Sequence, residues 1–197
     1  MANSRSRRLA VAVLAAACAA AAAQERSQLP IQLTASSLNY DSQKGVVEYD
    51  AVTIAQGEIR ISADRAVATG VEFKDSTWEF RGAVRISTPD AALASDTASV
   101  RFAGGEVAAA TVTGMPATFE HRRKDELAQG RANRIDYDLR RGTAELNGDA
   151  WLSDGKTEMT GGRLVYSTAD QRVVSRDPVT ITIQPGEQPA ARPDPMP

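Results

Sequence analysis

An all-β fold, drawn out as a stack of similar units, is what this sequence predicts, on three observations. Apolar and polar residues alternate at period two: Trp78, Phe80, Val84 and Ile86 are interleaved with Glu79, Arg81 and Arg85, and Val179, Ile181 and Ile183 with Thr180 and Thr182. Glycine-bearing turn dipeptides punctuate these runs at Lys44-Gly45, Gln56-Gly57, Arg141-Gly142 and Asp154-Gly155. A short motif returns roughly every 30 residues. No segment after residue 23 carries a helical apolar stripe over three turns.

Residues 1–23 stand apart from the rest. Arg5, Arg7 and Arg8 precede an uninterrupted small apolar run from Leu9 to Ala20, and Ala21, Ala22 and Ala23 lead into the polar Gln24-Glu25-Arg26. That is the three-part pattern of a secretory signal, so export with cleavage after about Ala23 is expected. The run is shorter than the roughly 20 residues of an uncleaved membrane anchor. Lipid attachment at Cys18 is disfavoured because Ala15 stands where a large aliphatic precedes a lipidated cysteine.

This leader distorts the composition. Of the 197 residues 42% are hydrophobic, but eleven alanines lie within residues 1–23. The remaining 174 residues suffice for one domain with a core built from Val, Ile and Ala, since aromatics make up only 5%. Without its single cysteine, Cys18, the exported chain has no thiol and depends on that core alone. Without the three leader arginines, the 23 basic and 25 acidic residues leave a net charge of about −5. An acidic chain excludes nucleic acid as the expected partner, because phosphate binding needs a basic face.

The strands follow in order. The first is expected from Ile31 to Leu38, and the pairs Val47/Tyr49, Val52/Ile54 and Ile59/Ile61 continue the alternation. Leu33-Thr34-Ala35-Ser36-Ser37-Leu38-Asn39-Tyr40 aligns without gaps on Met159-Thr160-Gly161-Gly162-Arg163-Leu164-Val165-Tyr166. Copies begin at Ile61 and Leu93, and a looser one is Ala132-Asn133-Arg134-Ile135-Asp136-Tyr137. Inside each copy the parity of the apolar positions flips at a small pair, which a strand achieves only with an extra residue. A β-bulge or corner is therefore predicted at each small pair. Between copies sits a second element: Glu48-Tyr49-Asp50-Ala51, Glu79-Phe80-Arg81-Gly82 and Glu145-Leu146-Asn147-Gly148. Each unit covers its neighbour's apolar face, giving a tall twisted pair of sheets.

Such a stack has ends. Ile31, Gln32 and Leu33 on the first strand, and Val179, Ile181 and Ile183 on the last, are the expected partner-binding edges, where unpaired N–H and C=O groups face outward. Residues 185–197, with four prolines among the last ten, are expected to be a disordered tail.

No catalytic constellation is predicted. His121 sits in the run His121-Arg122-Arg123-Lys124-Asp125-Glu126, which reads as a solvated charged loop, with no second His or Cys for a metal. Gly155-Lys156-Thr157 ends like a phosphate loop, but Ala150 stands where the first glycine belongs, so it is assigned to a hairpin turn. Asp136 and Asp138 share a strand face, yet Tyr137 between them is an expected core residue, so both aspartates are solvent-facing. No cofactor and no metal are expected.

Pro30-Ile31-Gln32-Leu33, Val47 to Ile54 and Gln56 to Asp64 resemble the opening of the LptA (OstA-like) family of periplasmic lipopolysaccharide transport proteins. Gly114-Met115-Pro116-Ala117-Thr118-Phe119 is similar to that family's Gly-x-Pro-Ala-x-Phe strand, and Gly130 to Tyr137 to its Gly-x-Ala-x-x-Ile-x-Tyr unit. The resemblance runs from Pro30 to about Ile183, with 75–107 as an extra or divergent unit. It implies an open, twisted β-jelly-roll over residues 24–184 whose sheets enclose an apolar groove for lipopolysaccharide acyl chains. It also implies an exported periplasmic bridge, stacked head to tail as a homo-oligomer. An inner-membrane LptC-like subunit would meet its N-terminal edge and an outer-membrane LptD-like translocon its C-terminal edge. Ile31 and Leu33 carry over from the family's first strand as residues at the groove's opening, and Phe119 from its Pro-Ala-x-Phe match. Parity adds Val52, Ile54, Ile61, Phe80, Val84, Ile86 and Tyr137 as inward-facing lipid contacts. Two alternatives remain: an LptC-like subunit that keeps its N-terminal anchor, and a structural β-stack that polymerises without a ligand.

Overall fold

The computed structural model describes residues 29–69, 72–124 and 126–184. The expected leader with Cys18, and the tail 185–197, lie outside the described residues. The described residues form one open antiparallel sheet of twelve strands. These are β1 (Gln32–Thr34), β2 (Ser37–Asp41), β3 (Val46–Gln56), β4 (Ile59–Thr69), β5 (Asp75–Ser87), β6 (Ala91–Ala103), β7 (Glu106–Arg123), β8 (Glu126–Asp138), β9 (Thr143–Ser153), β10 (Thr157–Ser167), β11 (Arg172–Val174) and β12 (Val179–Ile183). From β3 to β10 each strand pairs with its sequence neighbours, as hairpins dictate. β1 and β2 both pair with β3, and β11 and β12 both pair with β10, so each outer edge is one interrupted strand.

Every long strand bends at mid-length. The ladder shifts register between Ser62 and Arg65, Ala94 and Thr97, Arg131 and Arg134, and Gly161 and Arg163, each time at the small pair where parity flips in the sequence. On the first edge the break falls at Ala35-Ser36, between β1 and β2. The second recurring element faces these bulges with left-handed residues: Ala51 (φ 48°), Gly82 (φ 76°) and Gly148 (φ 74°). A line of corners thus crosses the sheet and divides it into two leaves.

The first leaf carries the inner row Tyr40-Val47-Ala68-Trp78-Val100-Ala110-Tyr137-Ala144-Tyr166, each residue directly opposite the next. The second carries Leu33-Ile54-Ile61-Ile86-Leu93-Phe119-Gly130-Leu152-Met159-Ile181. The leaves fold face to face and the single core lies between them. Segment 75–107 is continuous with the rest of the sheet: β5 and β6 lie in register with β4 and β7, Trp78 stands in the first inner row, and Phe80 is buried beside it.

Gly82 shows how tightly the corner is specified. Its φ of +76° suits glycine alone, and an added Cβ would fall 2.9 Å from the Cβ of Asp64 in the facing bulge. Gly82→Val is expected to cost about 2 kcal/mol or more, from left-handed strain plus the clash. Gly45→Ala in the β2–β3 turn meets nothing within 4 Å at φ +64° and is expected to cost about half as much. Urea midpoints of the two variants check this ordering.

Candidate functional site

The space between the leaves is the candidate site, because both its walls are apolar from edge to edge. Strand alternation puts every second side chain inside, and the bulge restores that alternation in the second leaf. Val52, Ile54, Ile61, Phe80, Val84, Ile86, Phe119 and Tyr137 are all buried there, as parity predicts. Ile31 and Leu33 are half-buried at the first edge, packed against the core. The side chains of these eight buried residues pack closely between the leaves, none more than 5% exposed.

Contacts across the leaves fix their relative placement. Gln56, at the second-leaf tip of β3, donates from Nε2 to the Gly105 carbonyl at 2.8 Å, in the first-leaf turn between β6 and β7. Arg123, at the second-leaf tip of β7, donates from Nη1 to the Ala169 carbonyl at 3.0 Å, in the turn between β10 and β11. Both contacts join a strand to the turn just beyond the third strand along. The leaves are therefore offset by about three strands, the consequence of sheet twist.

That offset leaves the two ends unequally covered. At the first edge Leu38 and Tyr40 of β2 lie opposite the buried Tyr49 and Val47, on the inner face of the first leaf, yet are 59% and 56% exposed. At the last edge Ile181 and Ile183 of β12 lie opposite Met159 and Thr157, continuing the second leaf, and are 54% and 74% exposed. The first leaf overhangs at one end and the second at the other. Sequence reasoning found Val179, Ile181 and Ile183 as edge residues but missed Leu38 and Tyr40. Their parity with Tyr49 and Val47 was the available signal; their exposure depends on the offset.

Two aromatic groups sit inside. Toward the first edge, Tyr49 and Phe73 stack on Trp78 at centroid distances of 5.5 and 4.5 Å, with Phe80 and Phe102 alongside. Toward the last edge, Phe119 of the second leaf lies 5.8 Å from both Tyr137 and Tyr166 of the first. Here the expectation for His121 is overturned. It is not in a solvated loop but on β7, two residues beyond Phe119 and on the same inner side, only 2% exposed. Its Nδ1 shares a hydrogen bond of 3.0 Å with the Tyr166 hydroxyl. The run Arg122-Arg123 belongs to the same strand, which the flanking charges disguised.

The outer face is polar and self-satisfied. Asp136 accepts from Thr111 at 2.6 Å and from Arg134 at 2.9 and 2.7 Å, and Arg163 donates to Glu145 at 2.8 Å. The Arg134 guanidinium holds the Asp136 carboxyl below its usual range, and Arg163 does the same for Glu145. Asp138 spends its carboxylate on the backbone N–H groups of Arg140 and Arg141. Asp136 and Asp138 therefore stabilise the sheet's outside as separate groups. Gly155 and Lys156 form the β9–β10 turn, as assigned. Among the described residues no three His, Cys, Asp or Glu side chains converge as a metal site would require.

Burial pushes the Tyr137 phenol up to about 12, with the Asp90 carboxylate adding to the effect. The folded chain keeps this proton where the unfolded chain has lost it, so stability is full below pH 10 and falls as pH rises toward 12. Up to about 2 kcal/mol is lost through this group. Tyr137→Phe is expected to flatten that part of the alkaline stability profile, read by urea unfolding at pH 9 and pH 11.

A family model described as LptA/(LptD N-terminal domain) LPS transport protein matches residues 66–172. Among solved structures, the chain is similar to the crystal structure of LptH, the LptA homologous periplasmic component of the conserved lipopolysaccharide transport device from Pseudomonas aeruginosa. That likeness covers 81% of this chain and 99% of the other, at 17% sequence identity and a TM-score of 0.42. No curated protein matches the sequence significantly.

Proposed function

The chain belongs to the LptA/LptD N-terminal domain family of lipopolysaccharide transport proteins, and on that premise we propose that it is a periplasmic bridge holding lipopolysaccharide acyl chains between its leaves. The observation that carries this reading is the pair of apolar inner rows that run from edge to edge, the first left uncovered at the first edge and the second at the last. An acyl chain needs such a path, since each CH₂ removed from water contributes about 0.8 kcal/mol.

The unequal overhangs favour head-to-tail stacking. When the last edge of one copy adds to the first edge of the next, the second-leaf overhang of β12 lies over the first-leaf overhang of β2. Backbone groups on both edge strands gain partners, and Leu38, Tyr40, Ile181 and Ile183 leave water together. The same geometry suits related jelly-rolls: an LptC-like subunit at the N-terminal edge and an LptD-like translocon at the C-terminal edge. Export is part of the reading through the expected signal at residues 1–23, with 24–184 as the working domain.

A second reading, a structural stack without ligand, is favoured by the closely packed interior. Native mass spectrometry of the protein purified from its host separates the two. The transport reading expects a lipopolysaccharide adduct, and uniformly bare polypeptide overturns it. Depletion of the protein is expected to strand lipopolysaccharide at the inner membrane.

A further inference from the structure

The side chains between the leaves are closely packed, so a guest chain lies among them only when the leaves part, and a cluster of polar contacts joins the leaves toward the last edge, opposite the line of corners, as Gln56–Gly105 does toward the first. His121 is the only histidine of the chain and is almost wholly buried, an unusual place for an imidazole in an otherwise apolar wall. Its Nδ1 meets the Tyr166 hydroxyl at 3.0 Å across the leaves, and the Asp90 carboxylate lies 3.7 Å from its Nε2. Outside this buried pair, at the exposed rim, Arg123 donates to the Ala169 carbonyl at 3.0 Å and Gln171 donates to Glu126 at 2.6 Å. All three links tie the tips of β7 and β8 to β10 and the turn after it.

Apolar contacts between leaves can be replaced by contacts with a guest chain, whereas these polar links cannot. They are therefore the step that must be undone first. Resting on the transport reading above, we propose that His121–Tyr166 with its two rim links is a latch: lipopolysaccharide loads sideways, through a mouth that opens between the β7–β8 tips and the β10–β11 turn. The corners on the far side act as the hinge, since each ladder is already bent and interrupted there by a bulge.

The test uses the full chain with Cys18→Ser, carrying Glu126→Cys and Gln171→Cys at the exposed rim, where folding is not at stake. Bridging the two thiols with a bis-maleimide locks the latch, and purified lipopolysaccharide is the probe. Locked protein is expected to load at least tenfold more slowly than the same protein left unbridged. Tyr166→Phe, which keeps the ring and removes the hydroxyl, is expected to load several-fold faster than the parent. Equal loading of locked and unbridged protein overturns the latch and leaves lengthwise threading from the ends, with the transport reading intact. Failure of the unbridged and parent proteins to load at all overturns both.

Discussion

Ile181→Asp is expected to leave a folded monomer and to weaken head-to-tail association at least a hundredfold. Ile181 is half exposed in the single copy and lies on β12, held to β10 at five register positions, so the strand survives the change. In the stack the same side chain is covered by the next copy's first leaf. Covering the exposed half of an isoleucine contributes about half of the ~1.5–3 kcal/mol of full burial, and an unpaired carboxylate in its place adds a larger desolvation cost. A hundredfold loss corresponds to about 2.8 kcal/mol, well within that sum. Sedimentation equilibrium reads the association, and a urea midpoint within about 0.5 kcal/mol of the parent shows that the monomer is intact. A variant that associates like the parent contradicts stacking through this edge.

Phe119→Ala is expected to cost about 3–5 kcal/mol of unfolding free energy, the largest effect of any single truncation considered. Phe119 is fully buried and is the ring that touches both Tyr137 and Tyr166, so its loss opens a cavity where the leaves meet. Little side chain is at hand to fill it, because the next inward-facing pair, Ala117 and Ala132, is small and already fully buried. For a protein of ordinary marginal stability, about 5–15 kcal/mol, this removes about a fifth or more of the total. Urea unfolding measures it, and a cost below 1 kcal/mol means that the leaves do not pack as described.

The local rules of the fold were legible in the sequence because they act over a few residues. A change of parity at Ala63-Asp64 or Gly161-Gly162 demands an extra residue, and the register shifts fall there. Val52, Ile54, Ile61 and Ile86 follow from alternation alone. His121 was misread because the five charged residues from Arg122 to Glu126 outweighed the alternation Ala117, Phe119, His121, which places it inside. The three-strand offset could not be read, since it accumulates from the twist of the whole sheet. Leu38 and Tyr40 depend on it and were missed for that reason. The groove itself came from family resemblance: apolar rows look the same in sequence whether they pack on each other or on a lipid.

A photo-crosslinking residue placed at Ile54 or Phe119, with outward-facing Thr53 and Thr118 as controls, distinguishes rows packed on each other from rows packed on a lipid by irradiation in the living host. Lipopolysaccharide adducts at both inner positions and neither control are predicted. Their absence at both inner positions contradicts the proposal that acyl chains travel between the leaves.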